Sequence, residues 1–421
     1  MHTGRDLRNF LSYLNVPRDI LDSLGHFAHQ SRSAKLLVLV TFLSGFGGTL
    51  AGFILVLHIE RLGYGTETFG TLMLLSGMVT IATLIFSGVL SDALGRKRMM
   101  ACGLLLSTLG TLCFSMRTAL PWLFAATAMG GVAGGLIGPS SSALLSELGS
   151  NKERKFLFSY AAFVGTVGGA GATMLAGMIP GAFISMAGFS VVQGYQMVFL
   201  FAFAFQISAL VALGFVRSGT QPNHGDGKDA QKTVRRLIMK FSLPMAVIGF
   251  GAGFVIPYFQ VFFELRFHAP VELIGAAFMI EHLVMALALL WIPRAAERFG
   301  SMRAIIGTQG TAVLLLVLIP VIPPPYFWLV VALFVARMVL MNVSAPILSS
   351  FMMGCIPEEN RATATSATMF AWIASNSIGI FLAGPIWAGA SHYLPFTICI
   401  VLYVLGLSLY TLFFWGVDDA P

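Results

Sequence analysis

Charge is what this chain of 421 residues has least of. Asp, Glu, Lys and Arg together make up 10% of it, against roughly 25% in an ordinary soluble domain, while 57% is hydrophobic. So few charges cannot clothe a soluble globule of this length. Lipid must be the solvent for much of it, and a soluble enzyme is excluded. Cysteine is scarce as well: Cys102, Cys113, Cys355 and Cys399 fall in or beside apolar runs and form no ligand-like pairs. They read as small packing residues, neither a disulfide framework nor a metal set. The sequence has no phosphate-cradling loop, no paired catalytic carboxylates and no His or Cys cluster at metal spacing. Gly45-Phe46-Gly47-Gly48 lies inside an apolar run with no strand before it, which removes a dinucleotide reading. No enzymatic activity and no cofactor is expected.

What is present is a series of long apolar runs. A bilayer core of roughly 30 Å needs about 20 apolar residues per helix, and twelve stretches meet that length. They lie at about 34–57, 68–91, 99–116, 121–146, 156–182, 194–216, 238–264, 272–293, 302–322, 325–353, 362–389 and 393–415. The runs are continuous where membrane strands would alternate, and an open sheet could not satisfy its backbone in lipid. The expected fold is an all-α integral membrane protein with twelve transmembrane helices.

Basic residues set the orientation. Arg96, Lys97 and Arg98, then Lys152, Arg154 and Lys155, then Arg294, Arg298 and Arg303 occupy even-numbered connections, and Arg5, Arg8, Arg18 and Arg32 precede the first span. The other side carries only Arg61, Arg117 and Arg266. Both termini are therefore expected in the cytoplasm. This asymmetry accounts for the net charge of +7 without any nucleic-acid partner. Residues 1–33 place Leu7, Phe10, Leu11 and Leu14 at helical spacing, which fits an amphipathic cytoplasmic segment at the membrane interface or a partly disordered tail. Residues 218–237 hold Gly219, Pro222, Gly225 and Gly227 among charges and read as a cytoplasmic linker. It separates a six-helix bundle over 34–217 from a second over 238–416, with a short tail at 417–421.

The two halves are copies. The polar island Gly88-Val-Leu-Ser-Asp92-Ala-Leu-Gly95-Arg96-Lys97-Arg98 returns 205 residues later, with Pro293, Glu297, Gly300 and Arg303 at the places of Gly88, Asp92, Gly95 and Arg98. Gly45, Gly47 and Glu60 are echoed by Gly249, Gly251 and Glu264, and Leu175-Ala-Gly177 by Leu382-Ala-Gly384. Parallel repeats of this kind are a transporter architecture. The island, with Ala93 at an Arg position, resembles the G-x-x-x-D-R-x-G-R-R/K loop between helices 2 and 3 of the major facilitator superfamily. The resemblance runs over about 34–416 and is strongest to bacterial inner-membrane members labelled drug or multidrug exporters.

The resemblance implies two bundles around a central cavity that opens alternately to each side, with helices 1, 4, 7 and 10 lining the site. It implies a multi-pass location in the bacterial inner membrane, a lipid bilayer and a small-molecule substrate as partners, and a monomer. It also implies a cytoplasmic gate: Asp92 near the start of helix 11, and Arg96 bonded to Glu147 at the end of helix 4, with Gly88 and Gly95 shaping the loop. Two family features are missing. The Gly-Pro dipeptide of exporter helix 5 stands in helix 11 as Gly384-Pro385, and the Arg of helix 4 is Gly130, with Arg337 at the equivalent place in the second half.

Within the spans, Glu281 is the acid nearest a helix centre, beside His282, and Arg337 is the base well inside one. A charge there costs on the order of 3 kcal/mol, so Glu281 and Arg337 are expected to pair. Either Glu281, assisted by His282, gains and loses a proton as access alternates and so releases Arg337 for an anionic or polar substrate group, or the two form a static ion pair that fixes helix register, or they make no contact. Substrate contacts are expected from Phe46, Phe254, Tyr258, Gln260, Asn342 and Asn376, with Phe42, Phe250, Met341 and Trp372 around them. Aromatic rings mixed with amides suit an amphipathic organic solute. The function expected is secondary active transport of such a solute, with proton-coupled efflux as the finer reading. The alternatives are an uptake carrier, proton-linked or passive, and a non-transporting membrane sensor on the same fold.

Overall fold

The computed structural model describes residues 31–148, 151–217, 232–289, 300–389 and 391–416; the side chains of 88–93, 151–156 and 232–233 are outside the description. The amphipathic segment expected at the N-terminus up to residue 30, the core of the linker (218–231), the copied loop at 293–299 and the tail at 417–421 all lie outside the described residues.

Among the described residues, twelve helices are long and apolar enough to cross a membrane. They are α1 (Arg32–Arg61), α2 (Gly65–Leu94), α3 (Arg96–Met116), α4 (Leu120–Leu148), α5 (Asn151–Ala187), α6 (Val191–Gly214), α7 (Val234–Phe267), α8 (Val271–Leu289), α9 (Ser301–Leu318), α10 (Phe327–Cys355), α11 (Arg361–Ala388) and α12 (Tyr393–Phe414). No strand occurs among the described residues. Helices α1 to α5 run longer than the apolar stretches suggest, because polar residues continue them at their ends. Ser31 caps α1 by accepting from the Ala34 amide at 3.2 Å, and Ser190 and Gln193 form a capping box on α6, satisfying amides that helix starts leave unpaired.

Each bundle is held by close backbone approach. Lipid gives helices no hydrophobic reason to associate, so small residues at the contact let dispersion act at short range. Gly47 of α1 lies against the Ala202 carbonyl and Gln206 of α6; its repeat equivalent Gly251 of α7 lies against the Cys399 carbonyl and Tyr403 of α12. The connection before α3 and the one before α9 repeat each other in backbone angle: Gly95 has φ 84° and ψ 143°, and Gly300 has φ 80° and ψ 147°. These are conformations open to glycine and strained for other residues, so the duplicated glycine is a geometric requirement of the duplicated turn.

α7 departs from its expected continuity. Pro257 has no amide hydrogen, and the helix gives way at Val255 to a short 3-10 turn over Ile256–Tyr258 before resuming at Phe259. A broken helix is tolerated in a membrane when other groups take the freed carbonyls. Here the Trp387 indole of α11 donates to the Phe254 carbonyl at 2.8 Å.

Candidate transport pathway

The ends of α2, α4, α8 and α10 and the starts of α3, α5, α9 and α11 share one side of the molecule, called here the basic face; the other side is the opposite face. The bundles meet along α2 with α11 and along α5 with α8. Near the opposite face these seams are backbone-tight. A Cβ added at Gly177 would come within 2.8 Å of the Val271 carbonyl oxygen, one at Gly275 within 2.7 Å of the Thr173 carbonyl oxygen, and one at Gly384 within 2.7 Å of the Thr66 carbonyl oxygen. The Thr66 hydroxyl also donates to the Gly384 carbonyl at 2.8 Å. Toward the basic face the contact ends: Gly165, one turn beyond Gly169 on α5, has nothing within 4 Å, and Ile85 and Phe86 on α2 are exposed. The buried core agrees. One continuous apolar cluster crosses both bundles through Phe53, Phe69, Ile179, Tyr258 and Trp387, whereas the basic-face half of the first bundle keeps a separate cluster around Leu37, Leu104, Leu144 and Leu213. The conformation is closed at the opposite face and parted at the basic face.

Two devices reinforce the closed end. Tyr258 is fully buried, stacks on Trp387, meets the edge of Phe69 from the other bundle, and donates its hydroxyl to the Ile380 carbonyl at 2.8 Å. At the rim, Arg61 at the end of α1 forms an ion pair with Glu264 on α7.

A cavity of about 340 Å3 lies within the second bundle. Its mouth is between α10 and α11, where Asn342, Ala345, Thr365 and Met369 are exposed, and its floor is made by Ile248 of α7, Gln309 of α9 and Tyr410 of α12. Trp372 and Met341 are on its wall.

Of the residues expected to touch substrate, the structure brings only Asn342 to this cavity, together with Met341 and Trp372. Phe254 and Tyr258 are taken up by the α7 break and the opposite-face closure described above. Gln260 is buried two residues beyond Tyr258, with no partner for its carbonyl oxygen among the described residues. Phe46 packs inside the first bundle, against Phe205 at 4.4 Å between centroids and Phe42 at 5.7 Å. The Asn376 amide donates to the Gly249 carbonyl at 3.0 Å, tying α11 to α7. The residues that sequence reasoning passed over are Gln309, Ser344, Thr368 and Tyr410. Gln309 carried a readable signal, an amide in the middle of an apolar run.

The expected pairing of Glu281 with Arg337 is corrected. Glu281 accepts from its neighbour His282, Oε2 to Nδ1 at 2.7 Å, and the His282 ring lies over Gly169 of α5, where a Cβ would come within 2.5 Å of it. Arg337 is 1% exposed and points to α12, donating to the Tyr403 hydroxyl at 2.8 Å with its guanidinium over the Tyr403 ring. The two charges sit on different helices, and each finds a nearer partner than the other. No Glu281–Arg337 ion pair occurs among the described residues.

At the basic face Arg96 and Glu147 meet in an ion pair, Nη1 to Oε1 at 2.5 Å, joining the start of α3 to the end of α4. Lys97 donates to the Gly214 and Val216 carbonyls at 3.0 and 2.6 Å, where a cation meets the negative end of the α6 dipole. Gly88 and Asp92 fall in the last turns of α2, whose side chains lie outside the described residues. No cluster of metal-ligating side chains occurs among the described residues.

The family model described as Major Facilitator Superfamily matches residues 37–380. The chain belongs to that superfamily. Its sequence is 24% identical over 271 residues to multidrug resistance protein 2 of Bacillus subtilis, an alignment covering 61% of this chain and 63% of that relative, so this match spans less than two thirds of the relative's length. A shorter stretch of 113 residues is 28% identical to a Na+, Li+, K+/H+ antiporter of Planococcus maritimus, covering 25% of this chain and 26% of the relative. Among solved structures, a D-xylose–proton symporter superposes with a TM-score of 0.71 at 14% identity over 92% of this chain and 97% of its own. A bacterial homolog of the human lysosomal transporter Spinster, in an inward-facing, unoccupied conformation, gives 0.66 at 16% identity over 90% and 96%. At these identities the superpositions establish the fold of this superfamily member and nothing finer. Family and fold together make it a membrane-spanning member of that superfamily.

Proposed function

We propose that the protein is a secondary active transporter that moves a small amphipathic organic solute by alternating access, exporting it at the expense of a proton gradient. The observation that carries this reading is the asymmetry of the seams: tight at the opposite face, parted at the basic face, with a largely apolar cavity in the second bundle. Rocking the bundles about α2–α11 and α5–α8 would exchange which face is parted. The multidrug relative supports efflux, and the basic loops support a cytoplasmic basic face and cytoplasmic termini.

In this reading Glu281 and His282 form the proton site. They stand at the α5–α8 seam, where the His282 ring lies over Gly169 of the other bundle, so bundle motion changes their access to water. Arg337 takes a structural part through Tyr403, as a register-fixing cation. Arg96–Glu147 and Asp92 form the basic-face gate, engaging α11 when that face closes. Solute flux in proteoliposomes of purified protein, with and without a pH gradient, tests the reading. Accumulation driven by the gradient is expected. Uptake coupled in the other direction would replace export by import, and absence of flux across a broad solute panel would leave a sensor.

A further inference from the structure

The cavity between α10 and α11 holds two buried polar atoms that the protein leaves unused. Gln309 is 5% exposed and Tyr410 is fully buried; both line the cavity, and neither the Gln309 carbonyl oxygen nor the Tyr410 hydroxyl has a partner among the described residues. Leaving such groups dry and unpaired is costly, so a pair of them around one space is out of keeping with simple packing.

Ser344 fixes which end of the Gln309 amide is left without a partner. The Ser344 hydroxyl donates its one proton to the Met341 carbonyl at 2.7 Å, so it can only accept at its other contact, and the Gln309 amide nitrogen donates to it at 2.6 Å. The carbonyl oxygen is thereby turned away from Ser344 as a fixed acceptor. Tyr410 can donate or accept. The remaining wall is apolar and adaptable, with the thioethers of Met245, Met341 and Met369 beside Trp372; thioethers repack around bodies of different shape. No residue lining the cavity is charged, and a charged group brought into such a space without a partner loses hydration that nothing replaces. At about 340 Å3, the cavity is at the small end of organic-ligand pockets.

We propose that this recess selects an uncharged amphipathic solute bearing a hydroxyl or amide N–H, with Gln309 as the residue that sets the selection. The inference rests on the transport reading for the word solute, but the binding chemistry stands apart from it. A hydroxyl donates to the Gln309 carbonyl and accepts from Tyr410, while the apolar body fills the methionine-lined space. A methyl ether keeps only the acceptor, and an ammonium keeps donors but brings an uncompensated charge.

The test is binding to the purified full chain by calorimetry, using phenylpropanol, its methyl ether and phenylpropylammonium, alongside proteoliposome flux of whichever binds. The alcohol is expected to bind about tenfold more tightly than the ether, the size of one buried hydrogen bond lost with its acceptor left dry, and the cation more weakly than both. In Gln309→Leu the alcohol-to-ether ratio should fall to near one; in Gln309→Glu the cation should gain over the alcohol. Gln309→Asn and Tyr410→Phe, with thermal melts on every variant, separate lost selection from lost folding, since a folded Tyr410→Phe should weaken alcohol and ether alike and leave their ratio in place. A ratio unchanged in Gln309→Leu, a cation preferred by the unsubstituted protein, or no binding of any of the three at millimolar concentration overturns the inference. Gln309-dependent binding without flux would overturn transport and leave the site standing, and flux of a solute indifferent to Gln309 would do the reverse.

Discussion

Arg337 shows how a residue's chemistry and its geometry can be separately legible. That it must be buried and paired follows from the cost of a charge inside a span; which group pairs with it depends on the direction its helix turns it, which one sequence does not encode. The guanidinium meets Tyr403 at 2.8 Å. Tyr403→Phe removes that acceptor from a buried cation, at a cost of about 1.5–3 kcal/mol for a hydrogen bond to a charged group. An earlier thermal unfolding midpoint in detergent is expected. An unchanged midpoint would mean that Arg337 has another acceptor, Glu281 among the candidates. For Glu281 itself, Glu281→Gln keeps shape and removes the titrating group. Loss of the response to an imposed pH gradient with solute exchange retained is expected, whereas a variant that still accumulates solute along the gradient would reduce Glu281–His282 to a structural pair.

Helices were the most legible elements, because twenty apolar residues in a row admit few other readings. Their contacts were not. Gly177 and its repeat equivalent Gly384 stand out in the sequence as glycines inside apolar runs, yet only the packing assigns one to α8 and the other to α2. The break in α7 was foreshadowed by Pro257, but a proline in a membrane helix can equally be absorbed, as Pro139, Pro244 and Pro346 are. Because Gly177 and Gly275 bring backbones together at the opposite face, Gly177→Ala must push α5 from α8 there, against a carbonyl that cannot yield as a side-chain tip would. Its effect should be to favour the state open at the opposite face. Asp92→Asn, which weakens the proposed closure of the basic face, should favour the present arrangement. Cysteines placed on each face and labelled with a membrane-impermeant maleimide should therefore change in opposite senses in the two variants. Equal labelling in both would remove Asp92 from the gate and Gly177 from the hinge.

At the scale of the whole molecule, the duplication gives near-symmetry and the function requires its violation. Glu60 and Glu264 are repeat equivalents, but the residue after each is Arg61 in one half and Leu265 in the other. One cation therefore serves two symmetry-related acids, and in this conformation it pairs with Glu264 across the bundles. Magnitudes decide how much of the closure this pair can hold. Arg61 is about half exposed, and exposed ion pairs contribute about 0.2–1 kcal/mol, so removing one should shift the open-to-closed ratio at the opposite face by no more than about fivefold. The backbone-tight glycine seam must supply the rest. Glu264→Gln should then raise labelling of an opposite-face cysteine modestly, less than Gly177→Ala does, and the difference should shrink at high salt as screening weakens what was lost. Arg61→Glu places three acids at the rim and should raise labelling further, with Arg61→Glu combined with Glu264→Arg returning it toward the starting level. Failure of that exchange to restore closure would show that Arg61 acts through Glu60 or through the Tyr195 hydroxyl beside it and not through the pair that spans the bundles.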